Sequence, residues 1–432
     1  MTGRLVGAAA ALAVVASALA AAAALADAAS AGKATTADAL RLTDEIAATV
    51  SRLRELPLKE PIVKGVISRD EARALFADHA AKDRTAEQMA AEGALLVKLG
   101  AMAAGTNYRA LVLDLLAEQV AGFYDTDRRK LFLADWLGPD PIALAHEITH
   151  ALQDQNFDLK RWEPRVKASS DFALAFSALV EGDAVASMID YGLAGKRRFT
   201  DVPGIVEAMR KDFESGSRPE ATSTSPRFDA APAVLRRVLV FPYLDGFAFV
   251  HDARRRGPWS VVDRMYADPP ASTEQILHPE RYVLRDSPVE LAVPCAPSLE
   301  RTHRLLFEDV LGEAALAAVL ADRVPADVAR IGAAGWGGDR LAVYGPRDAT
   351  LDDPATPAQL AGLVVLGRLQ LDTVRDAEEA AAALTIFAAA LGGAGVPSGP
   401  FAVERRGLKV LWSAGLDPAV RDRVVAELWA GF

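Results

Sequence analysis

Residues 144–154 read LAHEITHALQD and set two of the chain's six histidines, His146 and His150, four positions apart, with Glu147 directly after the first. On a helix, positions i and i+4 project from one face, so both imidazoles reach a single tetrahedral ion. Glu147 lies one position on and can reach a water beside that ion without filling a ligand place. Zinc hydrolases divide the labour in this way: the metal acidifies water and polarises a carbonyl, while a carboxylate takes the proton and passes it to the leaving amine. Coincidence explains the pattern poorly. A chain of 432 residues with six histidines is expected to hold about 0.01 chance matches to His-Glu-x-x-His.

A third protein ligand is required, and Glu181 in ALVEGDAVA offers one on the next strongly helical segment. A helix packed antiparallel to the first would present it to the same ion, giving a His₂Glu site with the fourth place open. The competing reading is a glutamate on a helix surface. Against it, Glu181 directly follows the apolar run FALAFSALV, where an unpaired carboxylate is costly to bury. The cofactor this donor set predicts is Zn²⁺.

On these residues the chain resembles the gluzincins, zinc metallopeptidases with HExxH on one helix and a glutamate ligand on a later one. HEITHALQD is similar to the active-site helix of thermolysin-like enzymes, and EGDAVA is closer to the Glu-x-Asp-x-x-Ala pattern of the prenyl-processing and heat-shock membrane endopeptidases. The resemblance implies peptide-bond hydrolysis, with Asp183 orienting a ligand histidine and Asp154, one turn beyond His150, as the other candidate for that task. In order along the chain, EQVAGFYD, LAHEITHALQDQNFDL, ALVEGDA, STEQILHPERY and GWGGDRLAVY also resemble recurrent segments of a set of exported, uncharacterised bacterial zincin-like proteins. That match runs from about Arg52 to the C-terminus.

Thermolysin-like enzymes also carry a downstream histidine that stabilises the oxyanion, which this chain does not clearly reproduce. Candidates for that donor are His278 in STEQILHPERY, Tyr243 in VFPYLDG and His251 in FVHDARRRG. His278, with Arg281 nearby, is favoured because it follows a polar loop and its His-Pro is similar to a motif of the membrane endopeptidases. In zincins the edge strand ahead of the active-site helix pairs with extended substrate, and KLFLAD takes that place here.

The elements that must position these residues are mostly helical. TADALRLTDEIAATVSRLREL has helical spacing up to Pro57, EPIVKGVI is a short strand, and SRDEARALFADHAAKD opens on a Ser68/Glu71 capping-box pattern. GFYDTDRRKLFLAD predicts a β-hairpin whose second strand is Lys130 to Ala134. A long helix over about 170–194 carries Glu181, and GSRPEATSTSPRFDAAP predicts a flexible loop. Beyond about Pro288, strands and helices alternate, which predicts a small sheet with helices on one face. AAGWGGDR within it is a tight structural turn, since it has neither the spacing nor the lysine of a nucleotide loop. The predicted fold class is α+β: a mainly helical zincin-like domain with a small hairpin or sheet over 61–286, then a smaller α+β domain over 287–432.

Composition sets the outer bounds. With 51% hydrophobic and 25% charged residues the chain is globular, and a net charge of −10 without a basic run excludes a nucleic-acid partner. Arg4, the apolar stretch Leu5 to Ala26 and small residues at Ala24 and Ala26 predict an export signal over 1–26. Residues 27–60 follow as a helical segment or linker. Left uncleaved, the apolar stretch would anchor the chain in a membrane. Cys295 is the only cysteine, so no intrachain disulfide forms, and its neighbours predict a small half-buried side chain rather than a nucleophile. Together these features predict an exported, periplasmic or extracellular zinc metallopeptidase acting on a peptide or protein substrate. The competing reading is a non-catalytic cell-envelope scaffold with a structural zinc, against which Glu147 argues, because a structural site needs no base. Oligomeric state is left open.

Overall fold

The computed structural model describes residues 36–119, 122–135, 140–214, 226–393 and 396–432. The export segment and residues 216–225 of the predicted flexible loop lie outside the described residues. The fold is α+β and mainly helical, with two separate sheets. In chain order the first part comprises α1 (Thr36–Arg54), β1 (Val63–Ile67), α2 (Arg69–Asp83), α3 (Ala86–Lys98), α4 (Tyr108–Gln119), β2 (Gly122–Asp125) and β3 (Lys130–Ala134). It continues with α5 (Pro141–Phe157), α6 (Ser170–Gly192), α7 (Ala233–Arg256), α8 (Ser260–Ala267) and α9 (Thr273–Leu277).

The hairpin forms as expected, with β2 antiparallel to β3. The edge assignment of KLFLA does not hold. Strand order is β1-β3-β2, with β1 parallel to β3, so KLFLA is the central strand and β1 and β2 are the edges. A strand from far upstream returns to cover the free side of β3, and alternation within one strand carries no information about its neighbours. Both faces of the sheet are covered, which is why the strand reads as a nearly unbroken apolar run. Tyr124, Leu131 and Leu133 pack with Ile46 and Val50 of α1 and with Leu144, Ile148 and Leu152 of α5. Phe123 and Phe132 face the main core on the other side.

Helix α5 begins where Asp140 accepts a hydrogen bond from the Ile142 amide and Pro141 occupies the first turn. Helix α6 is long and apolar enough to cross a membrane, yet 94% of its most apolar window is buried inside the fold. It is the central helix of the molecule, apolar on all sides because α5 and α7 flank it. Its crossing with α7 is very close: a Cβ at Gly182 would lie 2.2 Å from the Gly246 carbonyl, and one at Gly246 would lie 2.1 Å from the Ala178 oxygen.

The second sheet contains β4 (His303–Asp309), β5 (Trp336–Pro346), β6 (Val364–Leu371), β7 (Phe401–Arg406) and β8 (Lys409–Ala414), all antiparallel in the order β4-β5-β6-β8-β7. Its helices are α10 (Gly312–Leu320), α11 (Ala326–Ala333), α12 (Val374–Gly393) and α13 (Pro418–Ala430). They cover both faces, not one. Val365, Leu369 and Trp412 pack toward Leu384 and Phe387 of α12, while Tyr344, Leu366 and Leu411 pack against Val424 and Leu428 of α13.

Buried carboxylates join this sheet to the ligand-bearing helix, directly where Asp309 of β4 accepts from the Ser170 amide of α6 at 2.9 Å and through neighbouring helices elsewhere. Asp339 of GWGGD accepts from the Gly312 amide at 2.8 Å and from Trp336 Nε1 at 2.9 Å, and Asp171 at the start of α6 accepts from the Thr273 amide at 2.9 Å. The tight turn expected of AAGWGGDR is confined to Ala334 and Gly335; Trp336 to Asp339 already form the start of β5, with a register shift between Trp336 and Gly338. Cys295 is exposed rather than half-buried.

Candidate metal centre

His146 and His150 lie on the face of α5 turned toward α6, and Glu181 of α6 meets them. His146 Nε2 lies 3.1 Å from Glu181 Oε2 and 3.1 Å from His150 Nε2, and His150 Nε2 lies 3.3 Å from Glu181 Oε2. The two imidazoles stand edge to face, with ring centroids 4.7 Å apart. Three ligand atoms converge on one point with the spacing a metal requires, because donors bonded tetrahedrally to zinc at about 2.0–2.1 Å stand about 3.3 Å apart. The three are the group that could hold a metal ion among the described residues.

The electrostatics agree with that fit. Burial alone would depress the His150 imidazole, but the Glu181 carboxylate outweighs it and raises His150 to about 9. Burial likewise opposes ionisation of Glu181, and His150 with His146 overcomes it and lowers Glu181 to about 2. The Glu181 carboxylate thus favours positive charge at the place where a dication would sit. Burial lowers the His146 imidazole.

Glu147 lies beside the three ligands, close enough to feel the charges of His150 and Glu181, and is anchored from strand β2. Its Oε2 accepts from the Tyr124 amide of edge strand β2 at 3.0 Å, and its Oε1 is buried with no hydrogen-bond partner. Burial pushes this carboxyl up to about 8. The strand that reaches the site is therefore β2, not KLFLA. Tyr243 of α7 completes the wall, its ring centroid 6.2 Å from that of His146. Its hydroxyl is buried without a hydrogen-bond partner of good geometry, and burial beside Glu181 and Glu147 holds it well above its ordinary pKa.

His278 is not brought to this centre. Its Nε2 lies 3.0 Å from Glu313 Oε1 of α10, and its helix α9 docks through Thr273 on Asp171. Asp171 lies ten positions before Glu181 on α6, about 15 Å away along the helix axis. His278 and Arg281 belong to the seam with the second sheet, where Arg281 pairs with Asp286 and Asp372. His251 packs against the rings of Phe199 and Phe247.

The two aspartates expected behind the histidines take different places. Asp154 accepts from the Tyr124 hydroxyl at 3.0 Å and touches neither imidazole. Asp183 acts at one remove. Gln153 Oε1 lies 2.9 Å from His150 Nδ1, and Gln153 Nε2 donates at 3.0 Å both to Asp183 Oδ2 and to the Val180 carbonyl. Asp183 is also held by the Tyr266 hydroxyl and by Arg54. His146 Nδ1, in contrast, is buried with no partner. Sequence reasoning missed Gln153, although its spacing of three from His150 places it on the same helix face.

Residues 301–425, which hold the second sheet, match the family model described as a domain of unknown function (DUF8575). Comparison with curated proteins and with solved structures finds no match.

Proposed function

We propose that the chain is an exported zinc-dependent peptide hydrolase with His146, His150 and Glu181 as ligands and Glu147 as general base. The observation that carries this reading is the convergence of the three ligand atoms beside a carboxylate on the same helix. When bound, a zinc ion supplies Lewis acidity, polarising a carbonyl and acidifying water. The chain's own residues do the rest. Glu147 receives a proton at its partnerless Oε1 and later delivers it to the leaving amine. Tyr243, kept neutral by burial, has a free hydroxyl proton to donate to an oxygen that gains negative charge. The edge of β2 lies where an extended substrate backbone would pair.

One observation favours a second reading, a cell-envelope scaffold with a structural metal: His146, Glu147 and Glu181 are each no more than 3% exposed. Zinc content and cleavage of a mixed peptide library, measured together on the unmodified chain and on Glu147→Gln, separate the two. One zinc per chain in both, with cleavage only in the unmodified chain, supports the hydrolase. Zinc in both without cleavage supports the scaffold, and no zinc in either overturns both.

A further inference from the structure

Arg54, the last residue of α1, is fully buried behind the metal centre, 129 positions away in sequence from the carboxylate it grips. Its Nε and one terminal nitrogen fork onto Asp183, at 2.5 Å to Oδ1 and 3.1 Å to Oδ2. The same terminal nitrogen donates to Asp263 of α8 at 2.8 Å, and the guanidinium carbon lies over the Trp259 ring, 4.1 Å from its centroid. The Trp259 indole in turn donates to the Leu53 carbonyl at 3.1 Å, so the end of α1 is clamped from both sides.

The grip has a consequence for the histidine. Asp183 Oδ2 and the Val180 carbonyl can only accept hydrogen bonds, so the amide of Gln153 turns its NH₂ toward them and its Oε1 toward His150. An acceptor facing Nδ1 requires a proton there, which leaves the Nε2 lone pair free on the side of His146 and Glu181. The reversed amide would place the proton on Nε2 and remove a ligand. Asp183 shares this task with the Val180 carbonyl, and its carboxylate plane is fixed by the Arg54 fork together with the Tyr266 hydroxyl.

We infer that Arg54 is a positioning residue of the metal centre, acting through Asp183 and Gln153 on the ring of His150, so that the N-terminal helix is a working part of the site. This rests on the metal reading above. A lysine in place of Arg54 keeps the charge but has no planar fork with which to fix a carboxylate.

The test is a double-mutant cycle on zinc affinity, measured by chelator competition on the full chain, with Arg54→Lys, Gln153→Ala and the pair. Loss of a supporting hydrogen bond behind a ligand costs about 10–100-fold in metal affinity. Arg54→Lys is expected to weaken zinc by that factor in the unmodified background and by less than about 2-fold once Gln153 is gone. Asp263→Asn, at a side chain 30% exposed and therefore tolerant of change, loosens Arg54 without emptying a buried site. It is expected to give a smaller loss that also disappears in the Gln153→Ala background. Equal losses in both backgrounds, or no loss in either, overturn the inference, since a merely structural effect of Arg54 would be indifferent to Gln153. Failure of the metal reading itself shows differently, as absence of zinc binding by the unmodified chain.

Discussion

His150 Nδ1 and Gln153 Oε1 face each other at 2.9 Å across one turn of α5, and the other end of the Gln153 amide is committed to two acceptors on α6. A single side chain thus couples the orientation of a ligand on one helix to the backbone and a carboxylate of the helix that carries another ligand. Register between α5 and α6 and readiness of the imidazole are one property, not two.

That orientation can be checked on stability alone. If the NH₂ of Gln153 faces Asp183, then Gln153→Glu sets a second buried carboxylate against Asp183 and the Val180 carbonyl. It is expected to destabilise the fold by about 3–5 kcal/mol. Gln153→Ala removes the donor without adding charge and should cost less, about 1–3 kcal/mol. Urea unfolding with a chelator present ranks the two variants, and an equal cost would show that the amide points the other way.

Tyr243→Phe separates chemistry from folding. The hydroxyl makes no more than a poorly aligned hydrogen bond toward Glu181, so its removal costs little and the unfolding free energy should stay nearly the same. Zinc content should not change. If the hydroxyl stabilises developing charge, kcat for a peptide substrate falls by about 10²–10³ with KM nearly constant. A variant with full activity would remove Tyr243 from the reaction.

Much of the centre was legible in sequence because its signals are local. His146, Glu147 and His150 share one helical face, and Glu181 stands out as a carboxylate closing an apolar run. The remainder depends on contacts between distant segments. KLFLA reads the same whether it is central or at an edge, and only the return of β1 decides. His278 reads in sequence as the better donor than Tyr243; Tyr243 lies within an apolar helix that resembles plain core, while the polar neighbours of His278 serve the seam with the second sheet. Arg54 gave no local sign, since a basic residue near a helix end is ordinarily solvated. The covered second face of the larger sheet was visible in principle, because LVVLGRLQL lacks the alternation of a strand with one wet face.

The α6–α7 crossing sets the position of Glu181, since Gly182 is its immediate neighbour and meets Gly246 backbone to backbone. A methyl group at either glycine has no flexible side chain to displace. Gly246→Ala is expected to cost about 2–4 kcal/mol, at or beyond the upper end of overpacking effects. By prising α6 from α7 it should also weaken zinc binding, although Gly246 touches no ligand. Unfolding and zinc titration of this variant would both have to match the unmodified chain for the close crossing to be unimportant.

A buried lysine makes the stability of the fold depend on pH. Lys98 of α3 is fully buried, with its Nζ donating to the Leu360 carbonyl at 2.9 Å, and burial lowers it from 10.5 to about 8. Between those two values the unfolded chain still binds a proton that the folded chain has released, so stability rises with pH across the window from about 8 to 10.5. Below about 8 the folded state carries the full cost of the buried charge. A shift of this size corresponds to a rise of about 3 kcal/mol at most. Lys98→Met removes the titrating group, and its unfolding free energy should therefore lack that rise. The comparison is urea unfolding of both chains at a series of pH values from 7 to about 10.5, in which every other group cancels in the difference. Parallel curves would mean that Lys98 keeps its proton in the folded protein, with the carbonyls of Leu360 and Pro397 sufficient to hold an ammonium inside the core.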